Sequence, residues 1–155
     1  QFVAPQAVKE KLPEAMSRRT AAIENGQTIV FEDMEILAIP MYNLPETEDS
    51  RHPKGRGNGY LLTIGGKRIY ISGDTEDIPE MRNLTNIDVA FICMNLPYTM
   101  DVNQAASAVV DFQPKIVYPY HYRGKDELSD VESFKKQVED AGVSVEIRLK
   151  DWYAE

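Results

Sequence analysis

His52, Asp74 and His121 are the residues of this chain whose types could do chemistry together, and the two histidines are the only ones in its 155 residues. Asp74 stands in the turn Gly73-Asp74-Thr75, just past the apolar run Arg68-Ile69-Tyr70-Ile71-Ser72. His121 follows a second such run, Lys115-Ile116-Val117-Tyr118-Pro119-Tyr120. Two imidazoles and a carboxylate, the last two at predicted strand ends, form the pattern of a metallohydrolase that gathers ligands from loops. Such borderline ligands favour zinc, with manganese or iron as alternatives.

Each residue also has a plainer reading. Asp74 could cap the turn that follows it, since a carboxylate satisfies free N–H groups at a helix start. It could also be a phospho-accepting aspartate, with Glu76 and Asp77 helping to hold magnesium. His121, between Tyr120 and Tyr122, could be a ligand, a general base or a hydrogen-bonded structural residue. His52 lies in a polar stretch where simple solvent exposure is the alternative.

Bulk properties narrow the classes. A length of 155 residues with 43% apolar content fits one domain with a core of its own. The net charge of −8 argues against a nucleic-acid surface and against an electrostatic membrane anchor. No run approaches the roughly 20 apolar residues of a membrane span. The expectation is a soluble protein, with cytoplasm and periplasm both open. The one cysteine, Cys93, sits in the apolar run Val89-Ala90-Phe91-Ile92-Cys93-Met94 and reads as a buried strand residue.

The elements that must position these groups follow from periodicity and turn residues. Pro5 to about Asn25 reads as helical, broken at Pro13. Thr28 to Phe31 and Met34 to Ile39 read as strands joined at Glu32-Asp33. Asn43 to Asn58 is a long polar loop of the kind that carries function. Gly59 to Ile64, Gly65-Gly66 and Lys67 to Ser72 predict a hairpin. Next come a helical turn at Ile78 to Met81, a buried strand at Ile87 to Met94, and a helix from Val102 to Asp111 with Val110 and Phe112 facing inward. A strand at Lys115 to Tyr120 follows. Ser129 and Glu132 predict a capping box for a helix running to about Ala141, and Val143 to Leu149 reads as a last strand. No internal repeat or low-complexity tract marks a second domain.

The motifs form an ordered series: Asn43; His52-Pro53-Lys54-Gly55-Arg56-Gly57-Asn58-Gly59-Tyr60; Ile71-Ser72-Gly73-Asp74-Thr75-Glu76-Asp77-Ile78-Pro79-Glu80-Met81; Pro97-Tyr98-Thr99-Met100; and Tyr118-Pro119-Tyr120-His121-Tyr122. From about Phe2 to the C-terminus the chain resembles the metallo-β-lactamase fold superfamily. The likeness is to its branch of small metal-dependent hydrolases related to ascorbate-lactone and phosphodiester-cleaving members. The resemblance implies an α/β fold, the C-terminal portion of an αββα sandwich that holds a binuclear metal centre. Asp74 would be the bridging carboxylate, His52 a histidine of the first metal, and His121 the last ligand of the second. From the residues themselves, Tyr98 and Tyr122 could contact substrate or donate to an oxyanion, with buried packing the alternative for each, and Arg123 is a further substrate-contacting candidate.

The family signature His-x-His-x-Asp-His is absent. In relatives it precedes a segment like Phe2-Val3-Ala4-Pro5. The expectation is a single partial domain over 1–155 that supplies only part of the site and is poorly active alone. A complementing N-terminal segment, or self-association through an uncovered apolar sheet, would complete it. Lys54, Arg56 and Arg123 favour a small anionic substrate. The competing expectation is a non-catalytic α/β module that binds a partner.

Overall fold

A computed structural model describes residues 1–153. Strand β1 (Phe2–Ala4) pairs in parallel with β2 (Thr20–Ala22), and two short helices, α1 (Gln6–Lys9) and α2 (Glu14–Ser17), lie between them. Pro13 breaks the helical stretch, as its ring and missing N–H require, and it serves as the N-cap of α2. The expected helix to Asn25 stops early. Thr20 to Ala22 leaves it to pair with the chain start, a long-range choice that local propensity does not report.

The main sheet has seven strands in sequence order, β3 (Thr28–Phe31), β4 (Met34–Met41), β5 (Gly57–Ile64), β6 (Lys67–Ile71), β7 (Val89–Cys93), β8 (Ile116–Tyr120) and β9 (Glu146–Ile147). The pairings are antiparallel from β3 to β6 and parallel from β6 to β9. The parallel crossovers carry α3 (Pro79–Arg82), α4 (Val102–Phe112) and α5 (Val131–Asp140). The strand expected over Val143 to Leu149 shrinks to the two residues of β9, which are all that β8 engages.

Side chains alternate along each strand, so the sheet has two distinct faces. Tyr70, Ala90, Ile92 and Val117 are fully buried on one face, beneath Ala105, Ala108, Val109 and Phe112 of α4 and Phe134 and Val138 of α5. The Tyr70 and Phe112 rings meet edge to face at 6.2 Å between centroids. Val109, at helical spacing from Ala105 and Phe112, takes the core position expected of Val110, which is only partly buried. On the opposite face the registers Ile69–Val89–Ile116 and Ile71–Phe91–Tyr118 line up apolar side chains that no helix among the described residues covers, and all are partly exposed.

One helix start, that of α4, falls where expected, and the cap of α5 differs. Asp101 and Gln104 form a reciprocal capping box at α4. Asp130, not Ser129, caps α5 by accepting from the Ser133 N–H. The Ser129 hydroxyl donates instead to the Met94 carbonyl, tying the α5 entry to the end of β7.

Strand direction gathers the loops. Strands β6, β7 and β8 run parallel, so the segments after Ile71, Cys93 and Tyr120 emerge at one edge. Two successive antiparallel pairings make β4 run the same way, so the 43–56 loop leaves from that edge too. Loops at the carboxyl ends of parallel strands are where α/β folds place their sites.

Candidate metal site at the carboxyl edge of the sheet

Gly73 and its neighbours aim Asp74. Gly73 has φ of +66°, and a Cβ there would lie 2.8 Å from the Asn58 carbonyl oxygen and 3.0 Å from Met41 Sδ. Only glycine meets both conditions. The Asp74 N–H points at Met41 Sδ at 3.3 Å, and Thr75 is buried with its hydroxyl 3.3 Å from both the N and the O of Tyr42. The β6 end is thus clamped to the β4 end.

Asp74 caps nothing. The N-cap of α3 is Ile78, which offers no side-chain cap, and the Asp74 carboxylate turns towards the histidines. The phospho-acceptor reading also fails. Asp77 is held by Arg82 through Nε at 2.7 Å and Nη2 at 2.5 Å, and Glu76 accepts from Asn43 Nδ2 at 3.0 Å. Asp77 has both oxygens taken, which leaves at most Glu76 Oε2, short of the acidic cluster that magnesium needs.

His121 ends β8 with φ of +46°, a left-handed conformation that a residue with a Cβ adopts at some cost. Its Nδ1 lies 2.7 Å from Asp74 Oδ1, and its Nε2 lies 3.1 Å from Asn95 Nδ2. His52 is not left in solvent; its side chain is 18% exposed. Asn43 binds its backbone on both sides: Asn43 Oδ1 accepts from the His52 N–H at 2.8 Å, and the Asn43 N–H donates to the His52 carbonyl at 2.9 Å. Asn43 Nδ2 also donates to the Tyr98 carbonyl at 2.9 Å, so one buried amide joins three loops. His52 Nε2 then stands 3.6 Å from Asp74 Oδ2.

That distance tests the fit to a cation. It exceeds hydrogen-bond range. Two donors on one tetrahedral zinc, each about 2.0–2.1 Å from it, lie about 3.4 Å apart. His52 Nδ1 is buried and has no hydrogen-bond partner among the described residues. Donor chemistry and spacing therefore suit a divalent ion between His52 and Asp74. The donor count does not close a site: among the described residues no group of three or more His, Cys, Asp or Glu is arranged to hold one.

The surroundings sort the remaining candidates. Tyr98 is half-buried with the Arg51 guanidinium 4.4 Å from its ring centre. Tyr122 is 5% exposed, and its hydroxyl donates to the Lys150 carbonyl at 3.0 Å and lies 3.3 Å from the Trp152 N–H. Its phenol is committed to the backbone and has no free group for a substrate, which corrects the expectation. Arg123 is exposed and lies 4.4 Å over the Tyr153 ring. Lys54 is not a free cation either, because its Nζ pairs with Glu80 Oε1 at 3.0 Å. That hydrogen bond to Glu80 raises the Lys54 pKa. Burial, the largest single influence, would raise Glu80, but the hydrogen bonds from Lys54, the Glu80 backbone and Tyr42, with the Lys54 charge, together outweigh it and hold the carboxyl low. With Tyr42 Oη donating to Glu80 at 2.9 Å, the trio straps the His52 loop to α3. Cys93 is fully buried and burial pushes its thiol pKa up, so it is an unreactive core residue as expected.

A hollow of about 300 Å³ opens beside His121, lined by Phe91, Tyr120, Trp152 and Tyr153. A larger one of about 700 Å³ lies between the β7–α4 and β8–α5 loops and contains none of the three candidate ligands. Of these two, the smaller borders the chemistry.

Sequence reasoning passed over Asn95, Thr99 and Met41. Asn95 and Thr99 flank or belong to the Pro97-Tyr98-Thr99-Met100 segment, but an amide and a hydroxyl draw no notice in a search for ligands. Met41 contacts the Asp74 turn only because two strands align.

The family described as "Beta-lactamase superfamily domain" matches residues 1–122. The chain belongs to that family. It is 32% identical over 126 residues to a metal-dependent hydrolase of Pyrococcus abyssi, a match covering 78% of this chain and 55% of that one. A crystal structure from Parabacteroides distasonis superposes with a TM-score of 0.84 at 40% identity, over 97% of this chain and 64% of that one. A metallo-β-lactamase fold protein of Bacillus subtilis superposes with a TM-score of 0.65 at 11% identity, over 85% of this chain and 52% of that one, which shows the fold alone. The chain spans about half the length of the curated relatives it matches. Among the described residues no helix is long and apolar enough to cross a membrane.

Proposed function

We propose that this chain supplies one half of a binuclear metal centre in a metal-dependent hydrolase. The observation that carries this reading is that both oxygens of Asp74 face imidazoles, Oδ1 at 2.7 Å from His121 and Oδ2 at 3.6 Å from His52. A carboxylate facing both rings is suited to bridging, provided the 2.7 Å hydrogen bond to His121 opens to the wider spacing that two donors on one ion need. His52 and Asp74 would hold one ion, and Asp74 and His121 would serve the second. Zinc fits the donor types, with manganese or iron as alternatives. A bound divalent ion supplies Lewis acidity and lowers the pKa of water coordinated to it.

The chain's own residues orient and exclude. Asn43 and the Lys54–Glu80 strap hold His52 inward, and Gly73 fixes the reach of Asp74. Tyr98 and Arg123 are the side chains offered to a small substrate, and Arg123 favours an anionic group. Ester, lactone and phosphodiester substrates all suit such a centre.

The ligand set needs donors from outside this chain, since a zinc site takes three or four protein ligands. We assign them to a complementing segment or a second copy seated on the uncovered face around Ile71, Phe91 and Tyr118. Alone, the chain binds metal weakly and hydrolyses slowly.

Metal analysis by plasma mass spectrometry tests the reading. About two ions per molecule in a full-length protein carrying this sequence, lost in Asp74→Ala, supports it. Full-length protein without metal after zinc and manganese loading defeats it. A second reading, a non-catalytic module that docks a partner, draws on the same uncovered apolar face and predicts partner binding indifferent to Asp74→Ala.

A further inference from the structure

The hollow of about 300 Å³ beside His121 is walled by the aromatic rings of Phe91, Tyr120, Trp152 and Tyr153. Phe91 and Tyr120 come from neighbouring strands and meet edge to face at 6.3 Å between centroids. Stacking on Tyr118 at 5.4 Å braces Phe91. The other two rings belong to the tail after β9. Trp152 Nε1 donates to the Pro119 carbonyl at 2.7 Å, and the Trp152 N–H lies 3.3 Å from the Tyr122 hydroxyl. Tyr153 packs edge to face on Tyr122 at 5.0 Å. The tail is thus fastened to the β8 end. Trp152 is nonetheless 48% exposed. The indole has one polar group, which is already satisfied, so its open surface offers a ligand only apolar contact. A cation stands at the rim. The exposed Arg123 guanidinium lies 4.4 Å over the Tyr153 ring, and no carboxylate among the described residues pairs with it.

We infer that this hollow is a binding subsite for the aromatic ring of a small anionic substrate, with Arg123 at its rim taking the negative charge. The placement of that ring beside the reacting group rests on the proposed hydrolase reading; the binding of the ring does not. An apolar cavity of about 150 Å³ is enough for benzene, so this hollow has room for one ring and a short substituent. A flat ring suits walls that are themselves rings, because aromatic pairs gain from offset and edge-to-face contact. The hollow shares only Phe91 with the sheet face assigned above to a complementing segment. Its other ring walls come from the β8 end and the tail.

Trp152 is the only tryptophan of the 155-residue chain, so its fluorescence reports on the hollow. Phenylphosphonate, methylphosphonate and benzyl alcohol, titrated into the metal-free chain, separate ring from charge. Phenylphosphonate should quench Trp152 saturably, with the millimolar Kd of a fragment its size. Methylphosphonate, which lacks the ring, should bind about tenfold more weakly. Tyr153→Ala should weaken phenylphosphonate and benzyl alcohol alike, by about three- to tenfold. Arg123→Gln should weaken phenylphosphonate by about threefold and leave benzyl alcohol unchanged. Val89→Thr, on the uncovered sheet face but outside the hollow, should change neither. Tyr153 lies in the tail, so its variant leaves the core intact. No saturable quenching, equal binding of the two phosphonates, or a loss in Val89→Thr matching that in Tyr153→Ala would overturn the proposal. So would a full-length protein carrying this sequence that fails to bind phenylphosphonate by ligand-observed NMR, since a complementing segment would then fill the hollow. Zinc uptake by the full-length protein is a separate reading. Absence of uptake sinks the hydrolase reading, while the titrations of the metal-free chain still decide the subsite.

Discussion

Asp74 and His121 stand 47 residues apart in the chain, and their side chains meet at 2.7 Å. Nothing local brings them together. The contact exists because β6, β7 and β8 are parallel neighbours whose ends share one edge of the sheet. The backbone of His121 adopts φ of +46° at that edge, which turns its ring back towards Asp74. The supporting contacts yield predictions that do not depend on which metal or substrate the site takes.

Asn43 and His52 should respond unequally to substitution. The Asn43 side chain bonds His52, Glu76 and Tyr98 from a buried position. Asn43→Ala leaves buried partners unsatisfied and should cost about 2–3 kcal/mol of stability. His52→Gln removes a ring whose Nδ1 has no partner among the described residues, and should change stability by less than about 1 kcal/mol. Urea unfolding of both variants checks the contrast. Equal losses would mean that the His52 ring, and not the Asn43 amide, holds the loop.

Gly73→Ala should be severe for one methyl group. The added Cβ would approach the Asn58 carbonyl oxygen to 2.8 Å on a backbone with φ of +66°. Left-handed strain and the backbone clash together should cost about 2–4 kcal/mol. Gly26→Ala supplies the control, because Gly26 has φ of +82° with nothing within 4 Å of its Cβ position. It should lose only about 1 kcal/mol. Thermal melts of the pair separate steric clash from backbone strain.

Tyr70→Phe should not destabilise the chain. Tyr70 is fully buried beneath α4, and its hydroxyl has no hydrogen-bond partner among the described residues. Burial, the dominant cause, pushes its pKa well above the usual tyrosine value. Removing an unsatisfied buried hydroxyl should be neutral or add up to about 1 kcal/mol. A clear loss of stability by urea unfolding would reveal an internal water bonded to that hydroxyl.

Asp88 should give part of the acid sensitivity. Its carboxylate accepts from Lys115 Nζ at 2.8 Å and from the Arg68 N–H at 3.0 Å, and it is held well below the usual carboxylate range, chiefly by Lys115. A folded-state pKa below the unfolded one means stability that is present above the unfolded value, near 3.9, and lost as pH falls towards the folded value. Asp88→Asn should therefore lower the melting temperature at pH 7. The gap between variant and wild type should narrow steadily below about pH 4. A gap constant from pH 7 to pH 2 would show that the charge is not responsible.

Much of the framework was legible in the chain itself. Gly65-Gly66 marked the β5–β6 hairpin, and the apolar runs before Cys93 and Tyr120 marked β7 and β8, because turn chemistry and side-chain alternation act over a few residues. Features that depend on distant partners were misread. Thr20 to Ala22 looks helical until Phe2 to Ala4 is available to pair with it. The phase of α4, with Val109 inward, is set by where Tyr70 and the sheet lie beneath it.

The same division runs through the site. The identities of His52, Asp74 and His121, and the glycine that lets Asp74 turn, are properties of the sequence, since donor chemistry and backbone freedom belong to single residues. Only the tertiary structure decided that Asp74 faces both histidines and caps nothing, that Tyr122 turns away, and that Asn95 faces the far nitrogen of His121. Those relationships span separations of 26 and 47 residues. Hydrogen bonds between such groups form only after the parallel register has brought three strand ends to one edge.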